Sequence, residues 1–428
     1  MLRSIDIHKL HGKYDYNIDF NKDLTLLYGS NGCGKTTILN IVNSIITGKF
    51  YQLYKYKFES IIIVLYESDQ FIFVYYDNND NLIHVKLNDQ VVRIKQRDDE
   101  YYFDGLKLRR KNINKSELNL EKKIKNLFNF IYLPLNRSEN YQEITFKDYK
   151  YVNNECVYNY LDYSIMEVET LILEATRKIT LEENEINKNY QKDLLSSSIN
   201  LYNKDDMSKL MFNAKSIDLK QVKNNKEKYI EILKEFDLYD LSMKSKIDKF
   251  FLLFNRFISA FRNNNSTNYS DFMLLIYIEY LKVEHVIEIA EKYSVVKQEI
   301  HKPINQFQDI INEFFKYESI NKSIIINQDG KVDIASDAGP MSLFELSSGE
   351  KQLIITFAKL IFLIDKNKNN VFIIDEPESS LHLMWQSLLI PTLLSIDKNI
   401  QFIFATHSPE IVGKFRNYTK NVKPIVRK

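Results

Sequence analysis

Three of the chain's ten glycines, Gly29, Gly32 and Gly34, fall in one six-residue window. They belong to the run Gly29-Ser30-Asn31-Gly32-Cys33-Gly34-Lys35-Thr36-Thr37, which satisfies G-x-x-x-x-G-K-[ST]. An apolar stretch, Leu24 to Tyr28, precedes the run, and a helix-like stretch, Ile38 to Val42, follows it. Strand, glycine loop and helix in that order make a nest of backbone N–H groups, the arrangement that cradles a polyphosphate. Glycine suits such a loop because it tolerates positive φ and lets backbone approach an anion closely. The sequence therefore predicts a nucleoside triphosphate held by Gly29, Asn31, Gly32, Cys33, Gly34, Lys35, Thr36 and Thr37. Lys35 is expected to reach the β- and γ-phosphates and Thr36 to bind Mg²⁺.

The chain's 428 residues leave room for two or three domains and a large core. A net charge of +1 gives no global field that would draw it onto nucleic acid or membrane. Two basic stretches stand out locally, Lys107 to Lys125 and Lys414 to Lys428. Each reads as a solvated face or as a nucleic-acid contact, the former favoured. Two cysteines, Cys33 and Cys156, exclude a disulfide framework and a cysteine-rich zinc site. A cysteine inside a phosphate loop is best kept reduced, which suits a cytoplasmic protein. Met1 to Leu10 lacks the apolar core of a leader, and the run Phe272 to Ile278 is far too short to span a bilayer, so no membrane role is expected.

Residues 1 to about 105 read mostly as strands. Tyr14 to Phe20 alternates apolar and polar residues, and Ser60 to Tyr66, Gln70 to Tyr76, Leu82 to Leu87 and Val91 to Ile94 repeat the style between Asn/Asp clusters. Phe130 to Pro134 reads as a buried strand. From about 148 to 318 apolar residues recur at helical spacing, as in Lys226 to Leu238 and Phe250 to Phe261, with polar loops at Ser196 to Ser208 and Asn263 to Ser270. Strands return at Ser323 to Ile334, around the turn Asp329-Gly330. Helices then alternate with the runs Val371 to Ile374 and Gln401 to Ala405, which implies a parallel sheet. The expected division is 1–147, 148–320 as a helical insertion, and 321–428.

Three further motifs carry chemistry. Val371 to Glu376 is an apolar strand that ends in two carboxylates. Unpaired acids there are hard to justify structurally, but beside a triphosphate Asp375 would hold Mg²⁺ and Glu376 would orient or deprotonate the attacking water. Glu345 to Gln352 taken alone is a helix start capped by Ser347 or Ser348, and such a terminus is also an anion site. Ala405 to Pro409 follows the last apolar strand. His407 there is either a surface histidine or a group facing the ligand crevice, where it would hydrogen-bond the γ-phosphate.

Taken in order, these motifs resemble the ABC-type ATPase heads of the SMC, RecF and OLD groups. Gly29 to Thr37 matches the Walker A motif, Leu346 to Gln352 the signature, Val371 to Glu376 Walker B, Glu378 to His382 the D-loop, and His407 the switch histidine. The matched blocks cover roughly the first 50 and last 90 residues. The resemblance implies an α/β fold, an ABC-type P-loop head with a mixed sheet and a helical insertion. It also implies a head-to-tail homodimer or higher homo-oligomer in which Ser347 and Gly349 complete the partner copy's ATP site. A glutamine-loop candidate lies in Leu133 to Glu139. Tyr14 and Tyr16 occupy the stretch where an adenine-stacking aromatic often lies, but their alternation with Ile18 and Phe20 suits a core-facing strand equally.

The given sequence shows no heptads of long coiled-coil arms and no Cys-x-x-Cys hook, and no C-terminal Toprim nuclease is expected. Its motif wording most resembles stand-alone AAA-family ATPases of bacterial anti-phage systems such as Septu and PARIS. That implies antiviral defence, with a separately encoded nuclease effector of HNH or Toprim type and a phage protein or DNA as trigger. The alternative is a RecF-like repair ATPase acting directly on DNA, supported by Lys107 to Lys125. A transporter subunit is disfavoured by the long separation of Lys35 from Asp375.

Overall fold

A computed structural model of the chain describes residues 1–66, 70–96, 101–104, 107–110, 114–134, 160–197, 218–235, 238–263, 271–317 and 321–426. Cys156, most of the two polar loops, Arg427, Lys428 and residues 135–139 of the glutamine-loop candidate lie outside them.

The described residues form two compact units, 1–175 with 303–428, and 176–302. The first is built on two sheets. Its antiparallel sheet comprises β1 (Leu2–Leu10), β2 (Tyr14–Asp19), β4 (Ser60–Leu65), β5 (Phe71–Asp77), β6 (Leu82–Leu87), β7 (Gln90–Ile94) and β16 (Ile425–Val426), ordered β16-β2-β1-β4-β5-β6-β7. Its parallel sheet is ordered β10-β13-β14-β3-β15, from β3 (Leu24–Tyr28), β10 (Asn129–Leu133), β13 (Asn370–Asp375), β14 (Ile400–Thr406) and β15 (Thr419–Asn421). Two short hairpins, β8 (Tyr101–Asp104) with β9 (Lys107–Arg110) and β11 (Lys322–Ile326) with β12 (Val332–Ser336), stand apart from these sheets. The fold is α/β, as the motifs led us to expect, but its strands part into an antiparallel and a parallel sheet rather than one mixed sheet, because β13 and β14 are buried on both faces and β4 on one.

The two sheets differ in sequence style for a physical reason. Every residue of β13 and β14 is buried, as befits parallel strands covered on both faces. In β4 buried and half-buried residues alternate, so only one face meets the core. A side chain joins the two sheets. Gln401, fully buried in β14, accepts the Leu2 N–H at 2.8 Å and donates to the carbonyls of Leu2 and Asn21 at 2.6 and 2.7 Å. Its amide is thereby satisfied in a place where an unpaired one would be costly.

Register then aligns the strand ends. Asp375 of β13 pairs with Ala405 of β14, and Thr406 of β14 pairs with Tyr28 of β3. The carboxyl ends of three neighbouring parallel strands therefore deliver the acidic pair, the histidine loop and the glycine loop to one sheet edge. Ligands of open α/β sheets bind at such an edge.

Helices α1 (Lys35–Ile46), α2 (Lys115–Leu127), α7 (Ser348–Leu363), α8 (Leu383–Ile396) and α9 (Pro409–Val412) complete this unit. The second unit draws on α3 (Tyr160–Ser197), α4 (Leu219–Glu235), α5 (Leu241–Asn263) and α6 (Asp271–Phe315). Its core is aromatic: Phe254 stacks on Tyr280 with ring centroids 3.9 Å apart, beside Phe251, Phe257 and Tyr277. The spacing of apolar residues indicates helices here but not their length, and α6 runs 45 residues with Pro303 inside it. No helix among the described residues is long and apolar enough to cross a membrane.

Candidate nucleotide-binding site

The glycine loop links the end of β3 to the start of α1. Gly34 is the residue before α1 and has φ 100°, a backbone that side chains rarely adopt. A Cβ added there would lie 2.8 Å from the Tyr16 hydroxyl. Tyr16 is buried and donates that hydroxyl to the Cys33 carbonyl at 3.1 Å, so it braces the loop from beneath. Of the two readings of Tyr16, this favours the core-facing one. No side chain caps α1 and its first turn holds no acid. Its leading N–H groups and the positive end of its dipole are left for an anion.

Lys35 is 4 % exposed, and its ammonium donates to the Gly29 carbonyl at 3.0 Å, the Ser30 carbonyl at 3.4 Å and His407 Nε2 at 2.6 Å. An ammonium can only donate, so Nε2 supplies the lone pair and the ring proton sits on Nδ1. The cation thus closes the loop on itself and on the histidine 372 positions away.

Asp375 is 1 % exposed, and neither of its carboxylate oxygens makes a hydrogen bond. Burial raises its pKa to about 6. The Thr36 hydroxyl and the Lys35 charge act the other way, and the charges of Glu376 and Glu378 add to the rise. Thr36 is near enough to favour the anion, without the geometry of a full hydrogen bond. A buried acid without a partner is costly, and a bound cation removes the cost. A hydroxyl and a carboxylate are hard oxygen donors, so Thr36 and Asp375 fit Mg²⁺.

Glu376 follows with φ 49°, an uncommon backbone for a residue with a side chain. Its N–H is fixed on the Ala405 carbonyl at 2.8 Å. Ser380, four residues on, also has positive φ, at 68°. Between them Glu378 turns its carboxylate to the histidine loop. It accepts the N–H groups of His407 at 2.6 Å and Ser408 at 3.1 Å, and the Thr406 hydroxyl at 2.9 Å. Ser408 donates to Gln386 at 2.7 Å, and Gln386 donates to the Leu381 carbonyl at 2.7 Å.

Ser347 caps α7 through a reciprocal pair. Its hydroxyl accepts the Glu350 N–H at 3.3 Å, and the Glu350 carboxylate accepts the Ser347 N–H at 2.7 Å. The other Glu350 oxygen is held by Lys322. Ser347 and Ser348 are exposed, whereas Gly349 is buried against the turn after β13. A Cβ on Gly349 would sit 2.4 Å from the Ser380 carbonyl oxygen. The glycine is there to let helix and turn meet, whatever else it does.

The structure thus brings together Gly29, Lys35, Thr36, Asp375 and His407, with Glu376 next to Asp375. Ser347 and Gly349 lie at the start of a separate helix behind the turn 376–382. The sequence named Glu378 only as the first residue of the D-loop, and did not single out Gln386 or the bracing role of Tyr16. For Glu378 the acid-rich spacing Asp375-Glu376-Pro377-Glu378 was the available signal. On α2, Lys115, Lys122, Lys123 and Lys125 are exposed opposite buried Leu120 and Ile124. Lys123 bonds Gln90 and Lys125 pairs with Glu121, the pattern of a solvated helix face.

The family described as "AAA domain, putative AbiEii toxin, Type IV TA system" matches residues 116–413. Among curated proteins the chain is 26% identical over 234 residues to the "Retron Ec83 probable ATPase" of Escherichia coli, covering 46% of this chain and 43% of the relative. It is 32% identical over 88 residues to the "Retron Vc95 probable ATPase" of Vibrio cholerae serotype O1 biovar El Tor, covering 18% of this chain and 17% of the relative. The chain therefore spans less than half the length of these relatives. Among solved structures, an Smc head domain with an extended coiled coil bound to the C-terminal domain of ScpA, from Pyrococcus furiosus, overlays with TM-score 0.45 at 14% identity, covering 100% of this chain and 95% of that one. An SmcHead bound to the C-winged helix domain of ScpA gives 0.42 at 11%, covering 100% and 96%. The family match takes in more than half of the residues, including the acidic strand end and the histidine loop, and on that ground the chain belongs to this family of AAA-domain ATPases.

Proposed function

We propose that this chain is a Mg²⁺-dependent ABC-type ATPase of a bacterial anti-phage defence system. In this reading it closes head-to-tail on ATP and scaffolds or restrains a separately encoded nuclease. The observation that carries the nucleotide part is the convergence of Lys35, Thr36, Asp375 and His407 on one sheet edge. The defence part is supported by the family description, which names a toxin–antitoxin system, and by two relatives named as retron ATPases. Residues 1–147 and 321–428 serve as the halves of the head, and 148–320 as the insertion between them.

Each residue has one task. The backbone N–H groups of Gly29, Asn31, Gly32, Cys33, Gly34 and Thr37 wrap the phosphate tail. Lys35 leaves His407 and the loop carbonyls and turns its ammonium to the β- and γ-phosphates. The Thr36 hydroxyl and the Asp375 carboxylate would hold Mg²⁺, which when bound would neutralise phosphate charge. Glu376 takes the proton of the attacking water, and the freed His407 donates its ring N–H to the γ-phosphate. Ser347 and the Gly349 helix start complete the site of a second copy.

The test is the Glu376→Gln protein, which should trap ATP. Light scattering with and without Mg²⁺ and ATP should show a nucleotide-dependent dimer, and coexpression with neighbouring reading frames should pull down a nuclease. A chain that stays monomeric with bound ATP would remove the head-to-tail part. A chain that captures no nuclease and gives no phage phenotype would remove the defence part.

A further inference from the structure

The geometry assigns Glu378 as the positioning residue for His407, a role that rests on the ATPase reading above. Three consecutive donors converge on its carboxylate. One oxygen accepts the backbone N–H groups of His407 and Ser408 at 2.6 and 3.1 Å, and the other accepts the Thr406 hydroxyl at 2.9 Å. The peptide that carries the imidazole is therefore pinned at its own nitrogen.

Other bonds in the loop brace the residues on either side of His407. The Ser408 N–H also reaches the Thr406 hydroxyl at 3.0 Å, and the Ser408 side chain is tied to Gln386. The imidazole itself meets Lys35, whose partners change when a phosphate arrives. A histidine that exchanges one partner for another keeps its aim only if its backbone stays fixed, and small misplacements of catalytic groups are expensive in rate.

The same carboxylate stands on the turn that begins with Glu376 and continues to Ser380, against which Gly349 packs. Glu378 thus makes the turn and the histidine loop one mechanical piece. A movement of the α7 start would be passed through Ser380 and Glu378 to His407.

Length and hydrogen-bond reach, rather than charge, are what this role requires. Glutamine keeps one oxygen for the two N–H groups, and its NH₂ can donate to the Thr406 oxygen once that hydroxyl turns round. Aspartate keeps the charge but falls one methylene short. Steady-state turnover at saturating Mg²⁺ and ATP should be within about threefold of wild type for Glu378→Gln and at least tenfold lower for Glu378→Asp and Glu378→Ala, with KM within about threefold in all. That loss is at least about 1.4 kcal/mol in barrier. In a His407→Ala background the same changes should cost less than twofold more, because the residue acts through the imidazole.

A second readout does not need turnover. With ring-labelled histidine, the His407 resonance, assigned by its loss in His407→Ala, should stay sharp in Glu378→Gln and broaden or shift in Glu378→Asp. A chain that hydrolyses nothing would bring down the ATPase reading, while the imidazole spectrum would still decide the role of Glu378. The assignment is overturned if aspartate preserves turnover and the spectrum while glutamine destroys them, or if the loss is equally large without His407.

Discussion

The ammonium of Lys35 and Nε2 of His407 lie 2.6 Å apart, joined across β3 and β14 by the register that pairs Tyr28 with Thr406. Two groups that would both face the phosphates satisfy each other instead. Their loss should have different consequences. Lys35→Ala removes the charge proposed to neutralise the phosphate tail, and ATP affinity should fall at least tenfold, about 1.4 kcal/mol or more. His407→Ala leaves the cradle and its lysine, so affinity should stay within about threefold while turnover falls at least tenfold. Equilibrium binding of a fluorescent ATP analogue and steady-state hydrolysis separate the two. Equal loss of affinity in both variants would show that histidine and lysine act as one binding group.

Asp375 supplies the pH dependence. Its pKa lies near 3.8 in the unfolded chain and about 6 in the folded one, chiefly through burial. Between those values the native state holds a proton that the unfolded state has released. Stability of the nucleotide-free protein therefore falls as pH rises through this window, and the full penalty, about 3 kcal/mol by proton linkage, stands above pH 6. Asp375→Asn lifts it. The variant should be more resistant to urea than wild type by about 1–3 kcal/mol at pH 7.5, with the gain shrinking as pH is lowered towards 4. Mg²⁺ with ATP should stabilise wild type and not the variant. A gain that does not change with pH would rule out the buried charge as its cause.

Glu376, proposed above as the water-activating carboxylate, has a backbone φ of 49°, a strained value for a residue with a side chain. Two substitutions separate the strain from the chemistry. Glu376→Gln keeps the backbone and should bind ATP normally while slowing hydrolysis at least tenfold. Glu376→Gly removes the carboxylate and also relieves the left-handed backbone, at some cost in unfolded-state entropy. It should be equally slow and more stable than Glu376→Gln, by about 0.5–1 kcal/mol in urea denaturation. If glycine gives the less stable protein, the turn does not strain the residue.

Much of this site was legible because its parts are local. The glycine loop, the acidic pair Asp375-Glu376 and the loop at His407 each follow directly on an apolar run, and such a run is a set of neighbours in the chain. The alternation in Ser60 to Leu65 and the turn at Asp329-Gly330, where Gly330 has φ 80°, follow from nearest-neighbour chemistry too. What escaped depends on side chains that bond across great separation. Gln401 answers Leu2, Glu378 answers His407, and Tyr16 lies under Gly34. A glutamine or tyrosine in a strand looks the same in sequence whether or not it has such a partner. The length of α6 was hidden for the opposite reason: Pro303 is a local stop signal that the surrounding helix overrides.

At the start of α7 two residues, Gly349 and Ser347, should fail in different ways. Gly349 has no room: an added methyl would lie 2.4 Å from the Ser380 carbonyl, a backbone atom that cannot turn aside. Gly349→Ala should therefore displace the turn 376–382 and lower stability by about 1–3 kcal/mol, the usual range for overpacking, with turnover falling alongside. Ser347 is exposed, and its side chain caps the helix of its own subunit. Ser347→Arg should cost about 1 kcal/mol of stability through the lost cap. In the head-to-tail reading it should also spare ATP binding by the monomer and abolish turnover, because a long cation at that helix start would block the facing copy. Mixing Ser347→Arg with Lys35→Ala protein decides the point: each variant spoils one face, so a mixed dimer keeps one intact composite site and should regain part of the activity. Absence of any recovery, with both variants folded, would mean that the Ser347 helix start serves no second copy.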